Sequence, residues 1–261
     1  MNKLSSTVLM YHHIGMNDLL LYDREYAVER GMFLRHLDLI QRESLDVVLP
    51  DEWPKQVKAR SVVITFDDGY KDNYVQAYPI LKERGLRAVF FVTVEHIDCA
   101  GYMSWQDLAE ISAAGMGIGS HGLTHRFFSM LSTSELTEEL KESRRTLEER
   151  LAVSVKMLSL PGGRKHPELQ TIALESGYEY IFTSQYQFVD NISRGPFLNI
   201  PRIAIRKNTG VTCLENILRR KPGIMWRNRL KDQFKKVIQN LIGHKRYDKL
   251  YRRFQHMRSD S

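Results

Sequence analysis

Two short segments carry residue types at spacings that suit metal-assisted hydrolysis. In Thr65-Phe66-Asp67-Asp68-Gly69-Tyr70, two adjacent carboxylates stand where an apolar run meets a glycine turn. Successive residues leaving a strand point in different directions, so one carboxylate can bind a cation while its neighbour stays free to take a proton. An isolated Asp-Asp-Gly is more often a plain turn with one side chain capping the next helix. Like charges this close repel, however, and a cation is the natural means of keeping both ionised. In Ser120-His121-Gly122-Leu123-Thr124-His125, two imidazoles lie four residues apart, a spacing suited to a divalent ion if they share one helical turn. Alone, such a pair is usually surface or satisfied core. With the Asp pair it becomes two His and one carboxylate, a set that leaves coordination positions open for water and substrate. Hydrolysis by a metal-activated water is the chemistry to expect.

Such side chains need rigid elements behind them. Val8-Leu9-Met10-Tyr11 and residues 61–66, 88–92, 117–120, 157–160 and 180–183 are short, largely apolar runs that end in polar or glycine residues, as buried parallel strands do. Between them lie helical patterns: Phe33-Leu37-Ile40, Tyr74-Tyr78-Leu81 ending at Gly85, Leu108-Ile111 ending near Gly115, and the charged residues 134–151. This βαβ order predicts an α/β fold with a parallel sheet or a barrel of six or seven units, fewer than an eightfold barrel uses. Chemistry in these architectures sits beyond the carboxyl ends of the strands. Here those ends carry His12-His13, Asp67-Asp68, Ser120-His121 with His125, and Pro161-Gly162-Gly163.

Val63-Ile64-Thr65-Phe66-Asp67-Asp68-Gly69-Tyr70 and the His121/His125 segment resemble the first two signature motifs of the polysaccharide deacetylases, the carbohydrate esterase family 4 type, in order and spacing. The resemblance extends over residues 7 to 206 and implies a deformed (β/α) barrel. It also implies that Asp67 is the general base and that Asp68, His121 and His125 hold one divalent metal ion, with zinc the default. The family's third motif usually reads Arg-x-Pro-x-Gly. Leu158-Ser159-Leu160-Pro161-Gly162-Gly163 keeps the Pro and the final Gly but has Ser159 in place of the Arg. The Gly162 N–H remains as an oxyanion donor. Arg202, in Ile200-Pro201-Arg202-Ile203, is the first candidate for the missing charge and Arg164 the second, a solvated surface charge being the plain alternative for either. No late Leu-x-His motif supplies a general acid. Leu9-Met10-Tyr11-His12-His13-Ile14 instead resembles a subgroup, including biofilm polysaccharide deacetylases, whose acid lies on the first strand. That match points to His12. Strand alternation sends His13 to the opposite side, as a structural histidine or a fallback acid.

The chain has 261 residues, of which 43% are hydrophobic, enough to bury the core of one sizeable domain. Its two cysteines, Cys99 and Cys213, allow no disulfide framework and no thiolate metal site. No run approaches the ~18 uncharged apolar residues of a spanning helix, and residues 1–13 are too polar for a secretory segment, so a cytoplasmic protein is expected. The net charge of +7 divides unevenly: residues 219–261 hold 14 Lys/Arg against 3 Asp/Glu, and residues 1–218 hold 24 against 28. The expected organisation is a catalytic barrel over 1–218 and a basic amphipathic helical tail over 219–261. In the tail, Trp226, Leu230, Phe234, Ile238 and Leu241 recur at helical spacing. Packing on the barrel and attachment to anionic lipid at the inner face of the membrane both remain open; nucleic acid fits less well, for want of a binding motif. The function expected is removal of an N-acetyl group from an amino sugar, in a lipid-linked saccharide or a lipopolysaccharide or exopolysaccharide precursor. The rivals are a deacylase of non-sugar amides or N-formyl sugars, and a non-catalytic saccharide-binding barrel.

Overall fold

The structure, a computed structural model, describes residues 5–15, 23–53, 60–190 and 198–223. Six parallel strands follow one another around a sheet: β1 (Ser5–Tyr11), β2 (Arg60–Phe66), β3 (Val89–Val92), β4 (Gly117–Ser120), β5 (Met157–Ser159) and β6 (Tyr180–Thr183). They match the six apolar runs. A seventh place is filled by a broken strand. Its first half, β7 (Leu198–Pro201), pairs with β6, and its second half, β8 (Ile203–Ala204), pairs with β1 at Leu9 and Met10. The sheet thereby returns to its first strand, and Arg202 lies at the seam. The ring has seven places, at the upper end of the six or seven expected.

Two apolar clusters follow from strand alternation. Leu9, Tyr11, Ile64, Phe66, Phe90 and Ile181 share one cluster with the helices' apolar faces. Val8, Val63, Val89, Phe91, Phe182 and Ile200 form a second, which fills the inside of the ring. Space there is tight enough that a Cβ on Gly119 would stand 2.4 Å from the Phe91 ring. Moving along the inward-facing positions, the apolar filling gives way at the strand ends to Thr65, Asp67, Ser159 and Arg202, all buried.

The helices cover the outside. These are α1 (Arg30–Arg42), α2 (Tyr78–Glu83), α3 (Trp105–Ala113), α4 (Thr133–Leu151), α5 (Leu169–Glu175) and α6 (Val211–Leu218). The first four match the periodic patterns of the sequence. Ser104 with Asp107 and Ser132 with Glu135 form capping boxes that start α3 and α4, satisfying N–H groups the first turn cannot pair. Past α6, Arg219 pairs with Glu43 and Glu215, and Arg220 reaches Asp190 and the Ser6 carbonyl. The first two residues assigned to the tail thus dock on the barrel. The apolar stripe from Trp226 onward lies outside the described residues. No described helix is long and apolar enough to cross a membrane.

Candidate active site

The strand β2 delivers the Asp pair. Asp67 continues its inward face, and its N–H donates to the Tyr11 carbonyl at 3.0 Å, keeping it in register with β1. The next residue breaks away: Asp68 has φ of +74°, a left-handed conformation that a non-glycine side chain adopts at a cost of about 1–3 kcal/mol. The break gives the adjacent carboxylates different surroundings.

Asp67 faces Arg202. The two make a bidentate pair with Nη1–Oδ1 at 2.6 Å and Nη2–Oδ2 at 2.7 Å, and both side chains are buried. Ser159 completes a triangle: its Oγ accepts from Arg202 Nη2 at 2.8 Å and donates to Asp67 Oδ2 at 3.2 Å. The guanidinium also lies against the rings of Phe91 and Phe182. Burial alone would raise the Asp67 pKa, but the charge of Arg202 and its hydrogen bonds hold it below the ordinary carboxylate range. Arg164, the second candidate, lies over the Phe127 ring.

Asp68 faces the histidines. Its Oδ1 is 3.2 Å from His121 Nε2 and 3.0 Å from His125 Nε2, and the three donor atoms lie within 4.8 Å of one another. His121 donates its Nδ1–H to the Ser159 carbonyl at 3.1 Å, which holds the ring with Nε2 turned toward Asp68. His125 has φ of +63°, so the two imidazoles converge through a turn and not through the helical spacing that HxxxH suggests. A carboxylate oxygen and two imidazole nitrogens, one on a ring held from behind, are a donor set that fits a divalent cation. Burial would raise the Asp68 pKa, but the hydrogen bonds from both histidines bring it well below the usual value. For His125, burial acts downward and is outweighed by the Asp68 hydrogen bond, so its pKa is raised.

The two N-terminal histidines separate as alternation requires. His13 turns away: its Nδ1 lies 2.6 Å from Asp72 Oδ2 and its ring stacks on Tyr70 at 3.6 Å. His12 is half-buried with its ring 4.6 Å from that of Tyr26, and Asn73 Nδ2 holds its carbonyl at 2.6 Å. Burial lowers the His12 pKa, opposed by the negative charges of Asp68 and Asp67. The Gly162 N–H leaves the same strand end as Ser159, in a 3-10 turn over Pro161–Gly163. Gly162 has φ of +60°, and a Cβ there would meet the Phe127 ring at 2.6 Å.

Sequence reasoning did not single out four residues that build the site. Asp72 and Asn73 orient the two N-terminal histidines. Ser159, noted only as the place of a missing Arg, bridges Arg202 and Asp67. His96, whose ring is 5.8 Å from that of His125, has no sequence signal of its own.

A seven-place α/β barrel with two adjacent carboxylates and two histidines gathered at its strand ends is an arrangement that suits metal-assisted hydrolysis. The chain matches the family model for polysaccharide deacetylase over residues 54–181, the stretch that carries Asp67, Asp68, His121, His125 and Ser159. Over that stretch the chain is similar to the polysaccharide deacetylase family. A curated relative, YxkH of Bacillus subtilis (strain 168), whose name assigns it provisionally to the polysaccharide deacetylases, is 27% identical over 184 residues, 68% of this chain. The chain spans 64% of that relative's length. Among solved structures, the Streptococcus pyogenes deacetylase PplD in complex with acetate is similar with a TM-score of 0.74 and 24% identity, over 82% of this chain and 97% of that one. IcaB from Ammonifex degensii is similar with a TM-score of 0.71 and 23% identity, over 83% and 98%. At these identities the two structures establish the fold.

Proposed function

We propose that the protein is a metal-dependent hydrolase that removes the N-acetyl group of an amino sugar within a saccharide. The observation that carries this reading is the division of labour in the Asp pair. Asp67 is buried, kept ionised by Arg202 and aimed by Ser159, while Asp68 converges with His121 and His125 on one point. A binding protein gains nothing from holding two adjacent carboxylates charged in separate settings.

Asp68, His121 and His125 would hold the ion, zinc on this donor set. When bound, a divalent ion there supplies Lewis-acid polarisation of the amide carbonyl and activation of water. Asp67 accepts the proton of the attacking water, and both its oxygens keep lone pairs beyond those used by Arg202. The pair with Arg202 makes Asp67 a weaker base but fixes its orientation, and orientation is what a proton acceptor in a tight site needs most. The Gly162 N–H donates to the oxyanion. His12 gives a proton to the departing amine.

The substrate we favour is a lipid-linked saccharide or surface-polysaccharide precursor met at the cytoplasmic face of a membrane. The support is the charge pattern: 14 Lys/Arg against 3 Asp/Glu over residues 219–261, with aromatic and aliphatic residues at helical spacing, suits an anionic lipid surface. The name of YxkH and the family description point to a saccharide amide.

The test is acetate release from an N-acetylglucosamine oligomer and from a lipid-linked N-acetyl amino sugar. The protein is stripped with chelator and then reloaded with zinc. Acetate from the reloaded protein alone is the expected result. Equal release by stripped and reloaded protein removes the metal from the account, and release from neither substrate removes the deacetylase reading.

A further inference from the structure

The buried face of α4 reads Leu136, Glu139, Leu140, Ser143 and Leu147. Glu139 is out of place on it: a carboxylate 4% exposed, at a position where the helical period calls for an apolar residue. A buried charge is tolerated only when its oxygens are well supplied with donors.

The donors come from the turn that joins the two imidazoles. The N–H groups of Leu123 and Thr124 both donate to Glu139 Oε1 at 2.7 Å, and Thr124 Oγ1 donates to Oε2 at 3.0 Å. From the other side, the N–H groups of Val94 and Glu95 donate to the carbonyls of Gly122 and Leu123 at 3.2 and 2.9 Å. The turn is therefore clamped through its N–H groups by one carboxylate and through its carbonyls by the segment after β3. Gly122 fits because it has no side chain: a Cβ there would stand 2.8 Å from Glu139 Oε1, and its φ is +85°. His125, immediately after the clamp, holds a left-handed conformation that persists only where the surroundings over-determine it.

We propose that Glu139 is a positioning residue that sets His125 against His121 and Asp68 by fixing the backbone between the imidazoles. The inference rests on the metal-site reading above. Glu139 touches neither the ligand atoms nor Asp67; it acts through Leu123 and Thr124. Gln at this position can keep the geometry, because its Oε1 can accept both N–H groups and its Nε2 can donate to Thr124 Oγ1. Ala cannot.

The experiment measures zinc affinity by competition with a chromophoric chelator, together with the thermal midpoint of each metal-free protein. E139A is expected to bind zinc about 10- to 100-fold more weakly, the usual loss when a group supporting a metal ligand is removed. E139Q should recover most of that affinity. Thr124→Val, which removes only the hydroxyl donor and carries the test if E139A does not fold, should show a smaller loss at an unchanged midpoint. Wild-type affinity in folded E139A, or in Thr124→Val where E139A does not fold, overturns the proposal while leaving the metal site in place. Wild-type protein that takes up no zinc overturns the metal reading and this inference together.

Discussion

Arg202 and Ser159 share the place that one arginine usually occupies in the third motif of the polysaccharide deacetylases, which residues 158–163 resemble. The charge arrives from the seam strand, and the hydroxyl fills the vacated position and ties charge to carboxylate. The pair is buried, so each partner depends on the other. Arg202→Ala should cost about 3–5 kcal/mol in urea unfolding, because Asp67 is left charged and unpaired in the interior. Arg202→Lys should not restore function, since an ammonium cannot make the two parallel bonds. The double variant Asp67→Asn with Arg202→Met should regain much of the lost stability yet remain inactive; a double variant as unstable as the sum of the singles would mean that the two side chains act independently. The two histidines make a second contrast at this scale. His12→Gln should lower turnover by about 10²- to 10⁴-fold with little change in stability, the range for loss of a general acid. His13→Gln should instead lower stability, as it loosens the contacts to Asp72 and Tyr70. Reversed outcomes in the assay and the melt would exchange their roles.

Among the elements, the six unbroken strands were legible because runs apolar on both faces and closed by polar residues have few other uses. The motifs fell at their carboxyl ends for the same reason. The closing strand was harder to read: Arg202 interrupts it, and a buried arginine looks like a surface charge until its partner 135 residues away is seen. The His121/His125 geometry was also misjudged from spacing, because the left-handed His125 replaces the helical turn. Glu139 was hidden in a charged stretch, although its place in the 136–140–143–147 period marks it as facing inward. One further element contact gives a pH prediction. His36 on α1 donates Nε2–H to the Thr209 carbonyl at 2.8 Å, and its Nδ1, 3.1 Å from Tyr11 Oη, accepts from the hydroxyl. Burial, partly offset by the Thr209 carbonyl, lowers its pKa below 6.5. The unfolded chain therefore binds this proton more readily than the folded one. The contribution is complete above pH 6.5 and is lost as the pH falls from there toward the lowered folded value. Denaturant midpoints measured from pH 7.5 down to 5 should fall, and His36→Gln should flatten that slope; an equal slope in the variant would assign the acid sensitivity elsewhere.

For the molecule as a whole, chemistry and basic charge are separated along the chain. Every residue of the proposed site lies at or before Arg202, while the excess of positive charge begins at Arg219. Because Arg219 and Arg220 are anchored on Glu43 and Asp190, a truncation belongs after Gly223 and not before Arg219. That truncated protein should deacetylate a soluble analogue as the full chain does. Its binding to anionic vesicles should fall, and binding by the full chain should weaken as salt screens the electrostatic part. Full-chain protein that ignores anionic vesicles at low salt would leave packing on the barrel as the account of the tail. The central claim, that one carboxylate of the pair holds the metal and the other moves the proton, is tested most directly by measuring zinc content and acetate release on the same preparations of wild type, Asp67→Asn and Asp68→Asn. The account predicts one zinc and a turnover loss of about 10²- to 10⁴-fold for Asp67→Asn, and a loss of zinc itself for Asp68→Asn. Two variants that both keep zinc and both stay active would contradict it.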